Sequence, residues 1–366
     1  VQAEIQLLLD SLKVYSPSTK EGPLSKLLQR RMLALGFKNV RTDGAGNAIG
    51  EVGSGSPHLL LCGHMDTVPG FIPVRREGDK VYGRGAADAK APMCAMISAV
   101  ASTHRDAPLH MTMACVTREE GDSLGVQTLI DAGGDYDAAV FGEPGGAHRV
   151  AVGYRGRVEA RLTVATSGGH AASSWAHQSA VDQALAVFAG MQKYEKGNAV
   201  DEDHYRSPNI SLTMIRGGSY SNVIPRRCKM TLDVRLPPGL SSGTVKSELL
   251  GIVEDHARRN PGAAFKLEFE EPTEAYEAPT DSLVVRAFQR SILTNLHTKP
   301  AFTHKTGTGD MNTLAGRMGI PCVTYGPGDS RLEHTDGECV EIGDYLNSIS
   351  VLQGVFREFK MLSSSR

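Results

Sequence analysis

Three observations predict an α/β protein: a doubly wound, mostly parallel sheet carrying an inserted ferredoxin-like α+β domain. Apolar runs of strand length alternate with helical patterns over residues 58–141 and again over 282–361. Between residues 157 and 270 the order changes to strand, helix, strand, strand, helix, strand. Acidic and imidazole side chains recur where the apolar runs of the first kind end, which is where open α/β sheets place ligands.

The elements follow in order. Before residue 51 the pattern gives a helix, a Pro/Ser/Thr/Gly turn at 16–22, a second helix and a short strand pair. Residues 58–62 are a compact apolar run, read as a buried parallel strand ending at Gly63. The segment 81–85 reads as a turn and 89–103 as a helix of small residues with Met and Ile on its inner face. A strand at 109–117, a helix at 123–132 and a strand at 137–141 continue the alternation, with right-handed crossovers. Strands at 157–166, 210–217, 228–236 and 264–270, with helices at 179–194 and 242–259, then put both helices on one face of an antiparallel sheet. The first pattern resumes with a helix at 282–296, a strand at 321–325 and a helix at 343–361. Residues 1–153 and 273–366 therefore read as one domain and 154–272 as an insertion into it. Hinges at 150–156 and 271–273 would let the insertion close over a site.

Composition narrows the function. A chain of 366 residues has room for two domains, and 40% hydrophobic with 22% charged residues is ordinary for a globular protein. A formal net charge of −2 gives no reason to expect nucleic acid or a membrane surface. No apolar run approaches the ~20 residues of a membrane span, and the first residues read as an amphipathic helix with no signal pattern. Cys62, Cys94, Cys115, Cys228, Cys322 and Cys339 are scattered singly, as buried thiols in a reducing cytoplasm would be.

The candidate site residues are His64 with Asp66, then Asp88, Glu119 with Glu120, Glu143 and His334. His64 and Asp66 lie two apart on extended backbone, so they share a face, and Asp66 can bond the far imidazole nitrogen of His64. Asp88 ends the glycine-rich turn Gly83-Arg84-Gly85-Ala86-Ala87-Asp88. Alone it would read as a helix cap, and the turn lacks the Lys-Ser/Thr ending of a phosphate loop. As one member of the set it can bridge two cations ~3.5–4 Å apart. Glu119 and Glu120 follow an apolar strand and precede Gly121, so one can ligate while the other reaches a water, in either order. Glu143 precedes Pro144 in a turn after a strand, and His334 stands far from the others in sequence. Two imidazoles, a bridging carboxylate and further carboxylates suit a pair of divalent metals and a hydrolytic reaction.

Eight motifs in order resemble the metal-dependent aminoacylase and carboxypeptidase G family, which includes acetylornithine deacetylase and succinyl-diaminopimelate desuccinylase. They are Gly-His-Met-Asp-Thr-Val-Pro (63–69), Gly-Arg-Gly-Ala-Ala-Asp (83–88), Thr-Arg-Glu-Glu-Gly (117–121), Gly-Glu-Pro (142–144), Gly-Gly-His-Ala (168–171), Asn-Val-Ile-Pro (222–225), Asp-Val-Arg (233–235) and Glu-His-Thr-Asp-Gly-Glu (333–338). The resemblance implies two Zn²⁺ per subunit, with Co²⁺ as a substitute. It gives His64, Asp88 and Glu143 to one ion and Asp88, Glu120 and His334 to the other. Glu119 becomes the general base, Asp66 the partner of His64, and the Asp88–Ala89 peptide cis. The family's usual Lys-Gly-Gly after the aspartate is replaced here by Ala89-Lys90-Ala91-Pro92. The insertion becomes a lid through which two subunits pair as a homodimer, with His170 as oxyanion donor, to its own site or to that of the partner subunit, Asn222 beside it and Arg235 as carboxylate fork.

Within that family, Gly153-Tyr154-Arg155-Gly156-Arg157, the Lys305–Asn312 run with its Thr306-Gly307-Thr308 turn, and Tyr325–Ser330 look most like one branch. Its members release lysine or ornithine from the terminal glutamate of an amino-group carrier protein, in lysine and arginine biosynthesis. Thr306, Gly307 and Thr308 are then substrate-binding candidates. Arg216, Arg226, Arg227 and Lys229 would offer charge to an acidic carrier. The alternative is a deacylase or dipeptidase acting on small free N-acyl amino acids such as N-acetylornithine.

Overall fold

The computed structural model describes residues 1–103 and 109–365. The chain forms two compact units. One contains Val1–Gly153, Ala278–His304 and the stretch from Gly309 onward; the other contains Tyr154–Glu277 and Lys305–Thr308.

The first unit is built on a mixed sheet. His110–Val116, His58–His64, Ala138–Gly142 and Cys322–Thr324 lie side by side and parallel. Antiparallel strands flank this centre: Ala48–Val52 and Lys38–Thr42 on one side, Arg149–Tyr154 with Ala301–Lys305 on the other. The central strands are buried on both faces, so their sequences are nearly continuous apolar runs rather than alternating ones. Leu59, Leu60 and Leu61 are wholly buried, and each contributes roughly 1.5–3 kcal/mol of burial. The helix Lys90–Thr103 is buried on all sides from Lys90 to Ala101, which explains its uniformly small and apolar composition. It crosses the sheet so closely that a Cβ on Gly63 would lie 3.0 Å from Met93 Cβ and 3.2 Å from its Cα. Glycine at the end of that strand is therefore a packing requirement.

Three short strands, Arg75–Glu77, Lys80–Tyr82 and Cys339–Glu341, form a separate antiparallel sheet. The turn predicted at 81–85 is thus partly strand. Pairing with residues more than 250 positions away, rather than local propensity, makes it so.

In the second unit, Gly156–Thr166, Ala180–Gly197, Asn209–Gly217, Arg227–Leu236, Ser242–Arg259 and Ala263–Phe269 follow one another as βαββαβ. In space the order is second, third, first, fourth: Asn209–Gly217, Arg227–Leu236, Gly156–Thr166, Ala263–Phe269, all antiparallel. This is the ferredoxin-like arrangement. Alternate residues of the central strands (Val158, Ala160, Leu162, Val164; Cys228, Met230, Leu232, Val234) pack against Ala184, Val187 and Met191 of one helix and Val245, Leu249 and Val253 of the other. Both helices begin at serine caps, with Ser179 Oγ accepting the Asp182 N–H at 3.3 Å and Ser241 Oγ accepting the Thr244 N–H at 3.1 Å.

Candidate metal centre

The C-terminal edge of the parallel strands gathers the polar residues of the first unit. His64 is the last residue of its strand, Glu119 and Glu120 follow the strand ending at Val116, and Glu143 follows Gly142 directly. Asp88 stands just before the helix Lys90–Thr103, and His334 lies in the loop before Cys339–Glu341.

Asp88 is the pivot. Its Oδ1 is 3.2 Å from His64 Nε2 and its Oδ2 is 3.1 Å from His334 Nε2, so each carboxylate oxygen serves a different imidazole. Glu143 Oε1 lies 3.9 Å from His64 Nε2, and Glu120 Oε1 lies 2.8 Å from His334 Nε2. Two trios result, His64–Asp88–Glu143 and Asp88–Glu120–His334, with ligand atoms in each within 4.8 Å of one another. The donor set of imidazole nitrogens and carboxylate oxygens around a shared carboxylate fits two divalent metal ions.

The supports are mostly backbone. His64 Nδ1 lies 2.9 Å from the main-chain carbonyl of Asp66 and 3.5 Å from its Oδ1, so the closer partner is the peptide rather than the carboxylate that the spacing suggested. The wholly buried Asp66 carboxylate is otherwise employed. Oδ1 accepts the Glu119 N–H and Oδ2 the Glu120 N–H, both at 3.1 Å, and Ser18 Oγ donates to Oδ2 at 2.7 Å. Asp66 thus anchors the turn that carries the adjacent glutamates. Arg118, just before them, is left-handed at φ +62°, with its N–H donated to the buried Glu21 carboxylate at 3.1 Å. His334 is itself left-handed at φ +61°. Gly85, at φ +89°, has no room for a side chain, since a Cβ there would lie 2.8 Å from Lys90 Cγ and Cδ. The Asp88–Ala89 peptide is cis.

The electrostatics are those of an acid cluster that wants cations. Burial raises the Glu119 carboxyl well above the usual range, and Glu143, Asp310 and Asp88 push it further against the pull of His64. Burial and Asp88 raise Glu120 as well. Burial opposes a charge on Asp88, yet His334 and His64 hold its carboxyl below the usual range. Asp88 and Glu120 draw His334 up to about 9 despite its partial burial. Four carboxylates facing two imidazoles leave net negative charge in a buried place, and divalent cations neutralise it.

In the second unit, His170 sits on a two-residue strand paired with Val223–Ile224, and the Asn222 carbonyl accepts the Ala171 N–H at 3.0 Å. Both side chains are exposed. Arg235 Nε donates to Asp233 Oδ1 at 2.6 Å and Nη1 to Thr308 Oγ at 3.2 Å. The Thr306 carbonyl accepts from Arg155 Nε at 3.1 Å, and Gly307 lies between these two turn residues. Ser18 and Glu21 had no assigned role in the sequence, because their contacts to Asp66 and Arg118 come from a distant segment. Asp310, whose charge bears on Glu119, had none either, because the helix it opens follows a Gly-rich turn.

The model of Peptidase family M20/M25/M40 matches residues 60–358. A Pyrobaculum aerophilum protein that bears the name [LysW]-lysine/[LysW]-ornithine hydrolase provisionally is 36% identical over 338 residues, 92% of each chain. The [LysW]-lysine hydrolase of Deinococcus radiodurans is 32% identical over 356 residues, 96% of this chain and 95% of that one. A tripeptidase from Staphylococcus aureus shares the fold with a TM-score of 0.84 at 19% identity, over 98% of both chains. This chain belongs to peptidase family M20/M25/M40 and is a metal-dependent amidohydrolase.

Proposed function

We propose that the protein releases lysine, ornithine or both from an acidic amino-group carrier protein, by hydrolysing the amide to the carrier's terminal glutamate, as a step of lysine and arginine biosynthesis. The observation that carries this reading is the end-to-end similarity to hydrolases named for LysW-linked amino acids. Charge on the second unit supports an acidic partner. Arg216 stands directly opposite Lys229 in the strand pairing, with Arg226 and Arg227 beside them, all exposed. Like charges facing across a ladder are unfavourable unless an anion meets them.

In this reading His64, Asp88 and Glu143 would hold one Zn²⁺ or Co²⁺, and Asp88, Glu120 and His334 the other. Such ions would supply a water of lowered pKa and Lewis-acid polarisation of the amide carbonyl. Glu119, half-buried on the turn beside both trios, takes the water's proton as the carbonyl is attacked and returns it to the leaving amine. Asp66 holds the Glu119 and Glu120 backbone in place for that transfer. His170 supplies a hydrogen bond to the developing oxyanion. Its Nδ1 accepts the Ala172 N–H at 3.1 Å, so the neutral ring carries its proton on Nε2, as a donor must. Asn222 lies beside it. Arg235 spends three of its five N–H donors on Asp233 and Thr308, and a substrate carboxylate would take others, with Thr306, Gly307 and Thr308 lining that turn. The exposed Met214 and Ile215 on the edge strand Asn209–Gly217 support pairing of two copies as a homodimer. No helix among the described residues is long and apolar enough to cross a membrane.

The test is release of free amino acid from carrier protein loaded with lysine or ornithine, from N-acetylornithine and from N-succinyl-diaminopimelate, side by side. Release from the loaded carrier alone, abolished by chelator and restored by Zn²⁺ or Co²⁺, is the expected result. Turnover of a small acyl amino acid with the carrier ignored would overturn the substrate and keep the chemistry.

A further inference from the structure

The best-satisfied carboxylate around Asp88 belongs to a residue with no ligand atom in either trio. Glu338 is 1% exposed. Its Oε1 accepts three amides of one turn, from Gly85 at 2.9 Å and from Ala87 and Asp88 at 3.0 Å each. Its Oε2 accepts from Arg84 Nη1 at 2.8 Å, and Arg84 is itself 6% exposed. The same Nη1 donates to the Thr335 carbonyl at 3.0 Å, and Nε donates to the Gly70 carbonyl at 3.2 Å. The chain reaches this place because Cys339 pairs with Tyr82 in the small sheet, and the Glu338 carbonyl accepts the Gly83 N–H at 3.3 Å.

Three inward-pointing amides form a concave anion seat, and here a side chain of the protein fills it. Charge-assisted bonds of this kind are short and directional, so they fix the peptide that carries Asp88 more firmly than neutral partners would. The Asp88 side chain needs that firmness. A small rotation of its backbone would swing one carboxylate oxygen toward its imidazole and the other away, because Oδ1 and Oδ2 face different histidines at 3.2 and 3.1 Å. Glu338 is also four residues beyond His334, so one segment brings both a ligand and the anchor of the shared ligand.

We propose that Glu338 is the positioning residue of the metal centre: it fixes the aim of Asp88 and thereby sets the affinity for both ions together. The proposal rests on the two-ion reading of the site, with Asp88 in both trios. A residue acting through His334 instead would tune one ion only.

The experiment titrates Zn²⁺ into metal-free protein against a chromophoric chelator, resolving two binding steps. It compares wild type, Glu338→Ala, Glu338→Gln and His334→Ala, with the thermal midpoint of each metal-free chain measured in parallel. Glu338→Ala is expected to weaken both steps about 10–100-fold, the usual effect of removing a partner that orients a ligand. Glu338→Gln keeps an oxygen for the three amides and loses the charge facing Arg84, so both steps weaken less and the metal-free midpoint stays near wild type. His334→Ala loses one step and calibrates the assignment. Should the alanine chain fail to fold, the glutamine chain carries the test alone. Unchanged affinities in the folded Glu338 variants, or weakening confined to one step, would overturn the proposal. Wild-type protein that takes up fewer than two ions would sink the two-ion reading before any variant is compared, and the proposal with it.

Discussion

His58 and His64 are the first and last residues of one seven-residue strand, and they live in opposite surroundings. His64 is buried among carboxylates. Burial alone would push its pKa down, but Asp66, Asp88 and Glu119 more than reverse that and hold it well above the ordinary imidazole range. His58 stacks on His110 with ring centroids 3.7 Å apart, and both burial and that neighbour depress its pKa. Its ring nitrogens face the Asp135 carbonyl at 3.1 Å and Thr112 Oγ at 2.9 Å. The strand gives both histidines the same scaffold, so the difference between them comes from what the neighbouring segments bring. At the C-terminal edge those are loops rich in acid, and at the N-terminal edge a second imidazole. One strand thus presents an imidazole among carboxylates at one end and an imidazole stacked on another at the other.

Exchanging the two residues' fates is the sharpest way to break this contrast. His64→Gln should lose metal and essentially all turnover, whereas His58→Gln should retain both, measured as bound zinc per chain and initial rate. Equal losses in the two variants would mean that metal loss follows from damage to the strand and not from removal of a ligand. Metal-free wild-type protein should be inactive and melt lower. An ion bound only by the folded chain adds about 2.7 kcal/mol at a free concentration 100 times its Kd.

Glu119 separates ligation from chemistry within the same cluster. Glu119→Ala should keep the wild-type zinc content and lose about 10²–10⁴-fold in kcat, the range of a positioned acid–base group. Near-wild-type turnover would remove Glu119 from the proton transfer, and loss of zinc would make it a ligand.

A third histidine tests whether the contrast extends beyond the sheet. The His170 Nδ1 accepts the Ala172 N–H, and among the described residues no carboxylate pairs with its ring, so it has neither the acids of His64 nor the stacked ring of His58. His170→Ala should lower kcat by up to about 10²–10³-fold, with a smaller change in KM. A change in KM alone would make His170 a binding residue.

The legible parts of this molecule are those whose pattern is local. The runs ending at His64, Val116 and Gly142 are strands because apolar residues on both faces suit a covered parallel sheet, and the βαββαβ order of the second unit follows from alternation and capping serines. Arg149–Tyr154, Ala301–Lys305 and the helix Asp310–Met318 escaped notice, since each is short and follows turn-like Gly or Pro residues. The strand at Cys339–Glu341 exists only through its distant partner Lys80–Tyr82, which is central in a three-stranded sheet with Arg75–Glu77. The same holds for the site. The acids that make up the trios stand beside strand ends and motif glycines. The residues that aim them (Ser18 on Asp66, Glu21 on Arg118, Glu338 on the Asp88 turn) act from segments tens to hundreds of positions away. No spacing encodes such contacts.

The smallest effect lies at the quiet end of the strand, and it has a defined sign. His58 is held below its ordinary pKa of 6.5, so the unfolded chain binds the proton more readily than the folded one. Its contribution to stability is therefore fully present above that value and is lost as pH falls through the folded pKa. Glu51, with an oxygen 3.8 Å from His110 Nε2, and Asp137, whose carboxylate accepts the His58 N–H at 2.7 Å, both favour protonation and limit the size of the effect. Replacing the stacked partner by an uncharged ring, His110→Phe, removes the repulsion and keeps the contact. The thermal midpoint of wild type should then fall more between pH 7 and pH 5 than that of the variant, by a few degrees at most. Both chains are compared as metal-free protein, so that competition between protons and bound ions plays no part. Identical pH profiles would show that burial alone depresses His58, and that the stacked pair is packing with no electrostatic consequence.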